Sequence, residues 1–143
     1  VETMEKLLEK YKNTLVYENL GYFLILKGDL NRALEVNLQA YQFNNEDKII
    51  TDNLGQNYYL MGEHDKAEET YEKLMKKNPQ FPEPYYYYGC ILADEGKYDE
   101  ALSILEKGIS YKFSPLSTVA REQMEDKINE LKERTAEKEP EKE

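Results

Sequence analysis

Cysteine and histidine, the residues most often used in nucleophilic and metal chemistry, occur once each, as Cys90 and His64. A thiol activated by an imidazole would be a nucleophile, but the imidazole needs a third group to orient it, and none is evident. One histidine and one cysteine are too few for a zinc site, and one cysteine excludes an internal disulfide. No glycine-rich phosphate loop is present. We therefore expect no catalytic residue, no metal and no cofactor, and we expect that the protein is not an enzyme.

Tyrosine is the other unusual component, with 13 tyrosines and no tryptophan. The densest cluster is Tyr85-Tyr86-Tyr87-Tyr88. Four consecutive side chains on a helix point in four directions, so part of this cluster is expected in a core and part on a surface. Exposed tyrosines are candidate anchors for a protein partner, because tyrosine is enriched in binding hot spots.

The elements that would position these side chains are indicated by an internal repeat. Gly21, Gly55 and Gly89 are spaced by 34 residues; a second glycine follows each one after seven residues, and an alanine after five more. The first glycine lies in a helical stretch, where it costs about 1 kcal/mol relative to alanine, so we expect a neighbouring helix to pack closely against it. The second lies where the first helix must end and can adopt the left-handed conformation of a helix C-cap. The pattern predicts three helix–turn–helix units.

These units resemble the tetratricopeptide repeat, a helix pair of 34 residues. The second unit carries most of the family pattern, with Leu54, Gly55, Tyr58, Ala67, Tyr71 and Pro79. The first unit departs from it at Asn37, where the family prefers an aromatic residue, and the third at Tyr88 and Gly108, in the leucine and last alanine positions. The resemblance implies an all-α fold, a right-handed superhelical solenoid of antiparallel helix pairs.

The predicted domain boundaries follow the register of the repeat. The three repeats are expected at 14–47, 48–81 and 82–115, after an N-terminal helix at 1–13 that is either a cap or part of an earlier repeat. Apolar residues on one face after Pro115 predict a capping helix at 116–135, of the kind that repeat arrays need, and 136–143 is expected to be a disordered tail. We expect about eight helices.

The resemblance also implies which residues would contact a partner, because the first helix of each repeat lines the concave groove in this family. The predicted groove residues are Glu18, Asn19, Tyr22, Asp52, Asn53, Gln56, Tyr59, Glu83, Tyr86 and Tyr87. Family members that clamp the acidic tails of chaperones use Lys and Arg at these positions, whereas here only Asn53 matches that pattern. We therefore expect a neutral or basic peptide or helix to bind this groove, and not an acidic tail.

Charge and hydropathy exclude several classes of partner. The formal net charge of −10 argues against nucleic acid and against an anionic membrane surface, which both require clustered Lys and Arg. The longest apolar run, Tyr22 to Leu26, is too short to span a bilayer. The single cysteine fits a reducing compartment, so we expect a cytoplasmic protein. Because the chain does not begin with methionine, a fragment of a longer or membrane-anchored protein stays an alternative.

The leading functional hypothesis is a scaffold or adaptor module that binds another protein. One alternative is self-association into a homo-oligomer, through the ends of the repeat array or the terminal helix. A further alternative is a regulatory or recruiting domain of a larger assembly. Fold alone does not decide between them, because one architecture serves many functions.

Overall fold

The computed structural model describes residues 3–138, and the secondary structure in that range is helical. The helices are α1 (Met4–Lys27), α2 (Leu30–Phe43), α3 (Lys48–Leu60), α4 (His64–Met75), α5 (Glu83–Asp94), α6 (Tyr98–Ile109) and α7 (Arg121–Lys138). Short turns join α1 to α2, α3 to α4 and α5 to α6, and the two helices of each pair pack against each other as antiparallel hairpins. The predicted all-α fold of helix pairs is confirmed.

The first helix is longer than the sequence suggested. A separate helix at 1–13 was expected before the first repeat, but α1 continues without a break from Met4 to Lys27. No glycine or proline interrupts it before Gly21. Thr14 lies inside the helix; it is buried, and its hydroxyl accepts a hydrogen bond from Asn44 Nδ2 at 3.2 Å. The described range therefore contains seven helices and not eight.

Both roles expected for the glycines of the repeat are confirmed. The glycines that end the first helix of each pair, Gly28, Gly62 and Gly96, have left-handed backbones with φ of 81° or 82°. The glycines inside the first helices lie against a side chain of the second helix. A Cβ on Gly55 would be 2.6 Å from the Tyr71 ring, and one on Gly89 would be 2.6 Å from Leu105 Cγ. Each close helix crossing thus requires a residue without a side chain.

The described residues form two compact units, 3–77 and 78–138. The first unit contains α1 to α4, and α3 packs against each of the other three helices. The fully buried apolar side chains of this unit are Ala33, Ala40, Ile50, Ala67, Tyr71 and Leu74. Small residues on the second helix of each pair thus let the crossing helices approach closely, as the alanine positions of the repeat predict.

The second unit contains α5, α6 and α7, and α6 packs against both of the others. Its core joins Tyr85, Ile91 and Leu105 to apolar side chains from the C-terminal segment: Val119, Met124, Ile128 and Leu131. The C-terminal helix was expected to begin at residue 116, but α7 begins at Arg121. The hydroxyls of Ser114 and Ser117 accept hydrogen bonds from the backbone nitrogens of Leu116 and Val119, which holds this segment in turns.

The disordered tail predicted at 136–143 is only partly covered by the structure. Residues 136–138 belong to α7, and 139–143 lie outside the described residues.

Candidate partner-binding site

In the first unit, the predicted groove residues lie on α1 and α3 and differ in exposure. Asn19 is exposed, whereas Glu18, Tyr22 and Tyr59 are half-buried. Asp52, Asn53 and Gln56 are buried, and even Asp52 exposes only 4% of its surface. Of the predicted groove residues on these two helices, solvent therefore reaches one amide, one carboxyl group and two phenol rings.

The three buried side chains are engaged in hydrogen bonds within the unit. Asn53 Nδ2 donates to the backbone carbonyl of Glu18 at 3.0 Å, which ties α3 to α1. The Asp52 carboxylate accepts from the Tyr71 hydroxyl at 2.9 Å and from Gln56 Nε2 at 2.8 Å. These contacts position α3 against its neighbours. That the same residues also contact a partner stays a prediction.

Glu18 has a strongly perturbed carboxyl group at this site. It lies beside Asp47, the N-cap of α3, whose Oδ2 accepts a hydrogen bond from Ile50 N at 3.0 Å. Burial raises the pKa of Glu18 from 4.5 to about 8, with further contributions from the hydrogen bond and the negative charge of Asp47. At neutral pH Glu18 is therefore mainly protonated.

The lone histidine and the lone cysteine occupy structural environments. His64 is exposed, and its ring stacks on that of Tyr59 at 5.1 Å between centroids. Cys90 is buried in the second unit, and this burial raises the pKa of its thiol, which disfavours the nucleophilic thiolate. Across residues 3–138, no three His, Cys, Asp or Glu side chains come together as a metal site requires.

In the second unit, the predicted groove residues contact the C-terminal segment. Glu83 accepts a hydrogen bond from the Ser117 hydroxyl at 2.7 Å. Tyr87 donates to Thr118 Oγ1 at 3.1 Å, and Tyr86 accepts from Gln123 Nε2 of α7 at 3.0 Å. Burial raises the pKa of Tyr86 to about 12, so its phenol stays protonated and polar contacts are made through the neutral hydroxyl. The sequence did not reveal that α7 and the preceding turn meet this face of α5.

One residue did carry a signal for the placement of α7. Gly108 on α6 occupies the position where the repeat usually has alanine, and it is buried. A Cβ there would collide with Tyr85 and would lie 2.6 Å from Met124 Cε of α7. The absence of a side chain at Gly108 thus makes room for Met124, and a glycine in that position predicts a close helix contact.

Family comparison agrees with this architecture. Two models of the tetratricopeptide repeat match the chain, one over residues 52–81 and the other over residues 70–103. The helix pairs, their glycine crossings and these matches point to the same assignment. The chain is a tetratricopeptide repeat domain. Within residues 3–138 of the domain, no helix is long and apolar enough to cross a membrane.

Individual relatives are more distant. The domain is 28% identical over 102 residues to the BBSome complex member BBS4 of Bos taurus. The matched stretch covers 71% of this chain but only 20% of BBS4. It therefore spans a fifth of the length of this relative.

Solved structures resemble the domain in fold. The first repeat domain of Spaghetti (RPAP3), bound to the HSP90 peptide SRMEEVD, superposes with a TM-score of 0.71 at 14% identity, over 87% of this chain and 94% of that one. The type III secretion translocator chaperone SycD of Yersinia enterocolitica superposes with a TM-score of 0.72 at 18% identity, over 94% of this chain and 90% of that one. At these identities the comparison shows the fold alone.

Proposed function

We propose that this tetratricopeptide repeat domain binds a neutral or basic segment of another protein on the face of the first unit that carries Glu18, Asn19, Tyr22 and Tyr59. The observation that carries the proposal is the carboxyl pair of Glu18 and Asp47, which is half-buried on a face whose predicted groove residues include no lysine or arginine. A cation from a partner would complete this pair. The repeat domain of Spaghetti, which is solved with a bound peptide, supports peptide binding by this fold.

Each accessible side chain has a defined part in this proposal. A lysine or arginine of the partner lies beside Glu18 and favours its ionised form, because an opposite charge lowers the pKa of a carboxyl group. The exposed Asn19 amide bonds to the partner's backbone. Asn53 is less available for this purpose, because it already donates to the Glu18 carbonyl. Tyr22 and Tyr59 supply half-buried aromatic surface, which is typical of binding hot spots.

An acidic tail is a poor ligand for the same surface. The SRMEEVD peptide bound by Spaghetti carries three acidic side chains. Here they would approach the negative charge of Asp47 beside the protonated Glu18, and like charges at close range disfavour binding. We propose that this domain does not bind such a tail.

The test is a titration of the whole chain with two synthetic peptides, SRMEEVD and a peptide of the same length in which Lys replaces each acidic residue. We expect the Lys peptide to bind more tightly, and Asn19→Ala combined with Glu18→Gln to weaken it about tenfold. Gln39→Ala, an exposed change on α2, is the matched control and should leave affinity unchanged. Equal or tighter binding of SRMEEVD would overturn the proposal.

A second candidate function, self-association, is favoured by the apolar surface of α1. Most of its large apolar side chains are exposed, including Met4 at 70%, Tyr11 at 62%, Val16 at 61% and Phe23 at 54%. Exposed apolar surface of this extent is typical of interaction sites. SycD, a structural neighbour, has been solved as an alternative dimer. Sedimentation equilibrium tests this candidate: an association that persists in the Leu8→Glu, Tyr11→Glu double variant would exclude α1 as the interface.

A further inference from the structure

The first unit has a second concave surface, on the opposite side of α3 from the proposed binding face. It is a cleft of about 290 Å³, bounded by α2 and α4, with Leu54 and Tyr58 of α3 in its lining. Residues on a helix are separated by about 100° per position, so Leu54 and Tyr58 point away from the side that carries Asp52, Gln56 and Tyr59. The cleft is therefore a surface distinct from the groove described above.

The lining combines apolar surface with positive charge. Leu38 and Tyr41 line the cleft from α2, and Leu38 is 44% exposed. Lys66 and Lys73 line it from α4. They are seven residues apart, which places both on one face of the helix, two turns and about 10 Å from each other. An occupant would thus meet an apolar wall on one side and two ammonium groups on the other.

The two lysines are held by weak contacts only. Lys66 Nζ lies 5.8 Å from the centroid of the Tyr58 ring, which is a cation–π contact at an exposed site. Lys73 Nζ lies 3.4 Å from Glu69 Oε1, and both side chains of this pair are more than half exposed, so the pair contributes at most about 1 kcal/mol. Carboxylates of a partner can therefore bind these ammonium groups at small cost.

The cleft differs in charge from the rest of the chain. Its charged lining residues are two lysines and one glutamate, whereas the chain as a whole carries −10. An acidic segment is repelled by most of the surface and is attracted here, which favours one docking position over others. The volume of about 290 Å³ leaves room for apolar side chains of an occupant.

From these observations we propose that the cleft bounded by α2 and α4 binds an acidic amphipathic segment of a second protein. Its apolar side chains pack on Leu38, Tyr41 and Tyr58, and its carboxylates pair with Lys66 and Lys73. Because the groove on the other side of α3 is proposed to take a neutral or basic segment, one repeat domain would hold two partners of opposite charge. The proposal for this cleft does not depend on the proposal for the groove, so an experiment can contradict one and leave the other unaffected.

The test uses two helical peptides that carry one Phe and two Leu at spacings i, i+4 and i+7 and differ only in having Glu or Lys at every polar position. Each is added to the ¹⁵N-labelled whole chain, and amide shifts are followed by NMR. We expect the Glu peptide to shift Leu38, Tyr58, Lys66 and Lys73 in a saturable way. The Lys66→Glu, Lys73→Glu double variant should weaken this binding at least tenfold, and Leu38→Ser several-fold.

A charge-matched control separates the cleft from the general field of the chain. Lys12→Glu with Lys48→Glu changes the net charge by the same amount at exposed positions outside the cleft, and should change affinity by less than about twofold. The proposal is overturned if the Glu peptide does not bind, if the Lys peptide shifts the same residues equally, or if the two double variants behave alike. Far-ultraviolet circular dichroism tests whether each variant is folded, so that unfolding can be separated from a loss of binding.

Discussion

At the scale of single residues, Tyr71 links the packing of the repeat to its polar surface. Its ring lies against the backbone of Gly55, and its hydroxyl donates to the buried Asp52 carboxylate at 2.9 Å. One side chain thus supports both the helix crossing and an acid of the predicted groove. A change that moves this ring should therefore affect stability and surface together.

We predict that Gly55→Ala destabilises the first unit by about 1–3 kcal/mol, since the new Cβ would be 2.6 Å from the Tyr71 ring and the crossing must open. Urea denaturation followed by circular dichroism measures the change in the free energy of unfolding. Gln39→Ala, at an exposed helical position, should stay within about 0.5 kcal/mol of the parent. An equally stable Gly55→Ala protein would show that the crossing is not tight.

Glu18 gives the first unit a pH-dependent stability. Its pKa is about 8 in the folded protein and 4.5 in the unfolded chain, so the folded state binds this proton more tightly. The stabilisation is complete below pH 4.5 and is lost as the pH rises through 8. We expect a loss on the order of 1–2 kcal/mol from this group, reduced from the full conversion because solvent reaches the carboxyl.

The variant Glu18→Gln removes this titration and keeps the hydrogen-bonding shape. Urea midpoints measured between pH 5 and pH 9 should decline less in the variant than in the parent, and the variant should be the more stable of the two at pH 9. Glu9→Gln, an exposed site on α1, is the control for loss of one negative charge. Parallel declines for parent and Glu18→Gln would rule out Glu18 as the source.

At the scale of elements, the position of α7 depends on Gly108. We predict that Gly108→Ala loosens α7, because the added Cβ would collide with Tyr85 and crowd Met124. Hydrogen exchange should show faster exchange for amides of α7, by at least tenfold, with a smaller change in α3. Ser103→Ala, at an exposed position of α6, serves as the control. Unchanged protection of α7 would mean that other contacts hold it.

Elements that depend on the repeat register were the ones that could be predicted from the sequence. The glycine and alanine positions encode helix crossings and helix ends within each pair, and these contacts are local, so Gly28, Gly55 and Gly89 were interpreted correctly. The continuity of α1 and the start of α7 at Arg121 were not predictable in the same way. These regions contain Thr14, which bonds to the Asn44 side chain, and Ser117, which bonds to the backbone of Val119, and the repeat pattern specifies neither contact.

The candidate site shows the same limit. The repeat register placed Asn53, Asp52 and Gln56 on a groove. It does not show which polar side chains already form hydrogen bonds inside the protein. Asn37 is similar: the sequence marked it as a departure from the aromatic pattern, and the structure shows it buried, with its Nδ2 donating to Asn57 Oδ1 at 2.9 Å. Such polar pairs depend on side-chain geometry, which a periodic pattern does not contain.

At the scale of the whole molecule, charge links the two proposed surfaces to the partner they would select. A chain with a net charge of −10 attracts cations over most of its surface, so the expected specificity comes from local differences. On the face with Glu18, the local feature is a proton that must leave the carboxyl group when a cation binds. In the cleft between α2 and α4, the local feature is the positive charge of two lysines. Both contributions weaken as salt screens them, with a Debye length of about 8 Å at physiological ionic strength.

The proton on Glu18 gives a prediction that general charge attraction does not. A peptide lysine beside Glu18 favours the carboxylate, whose pKa is about 8 in the free protein, so binding releases a proton below that pH. The affinity of the Lys-substituted peptide should therefore rise by several-fold to about tenfold between pH 6 and pH 8 and then level off, because further deprotonation adds nothing. Calorimetry in two buffers of different ionisation enthalpy measures the released proton directly. In Glu18→Gln the pH dependence of the affinity and the proton release should both disappear. If both persist in this variant, the Glu18 proton is not their source.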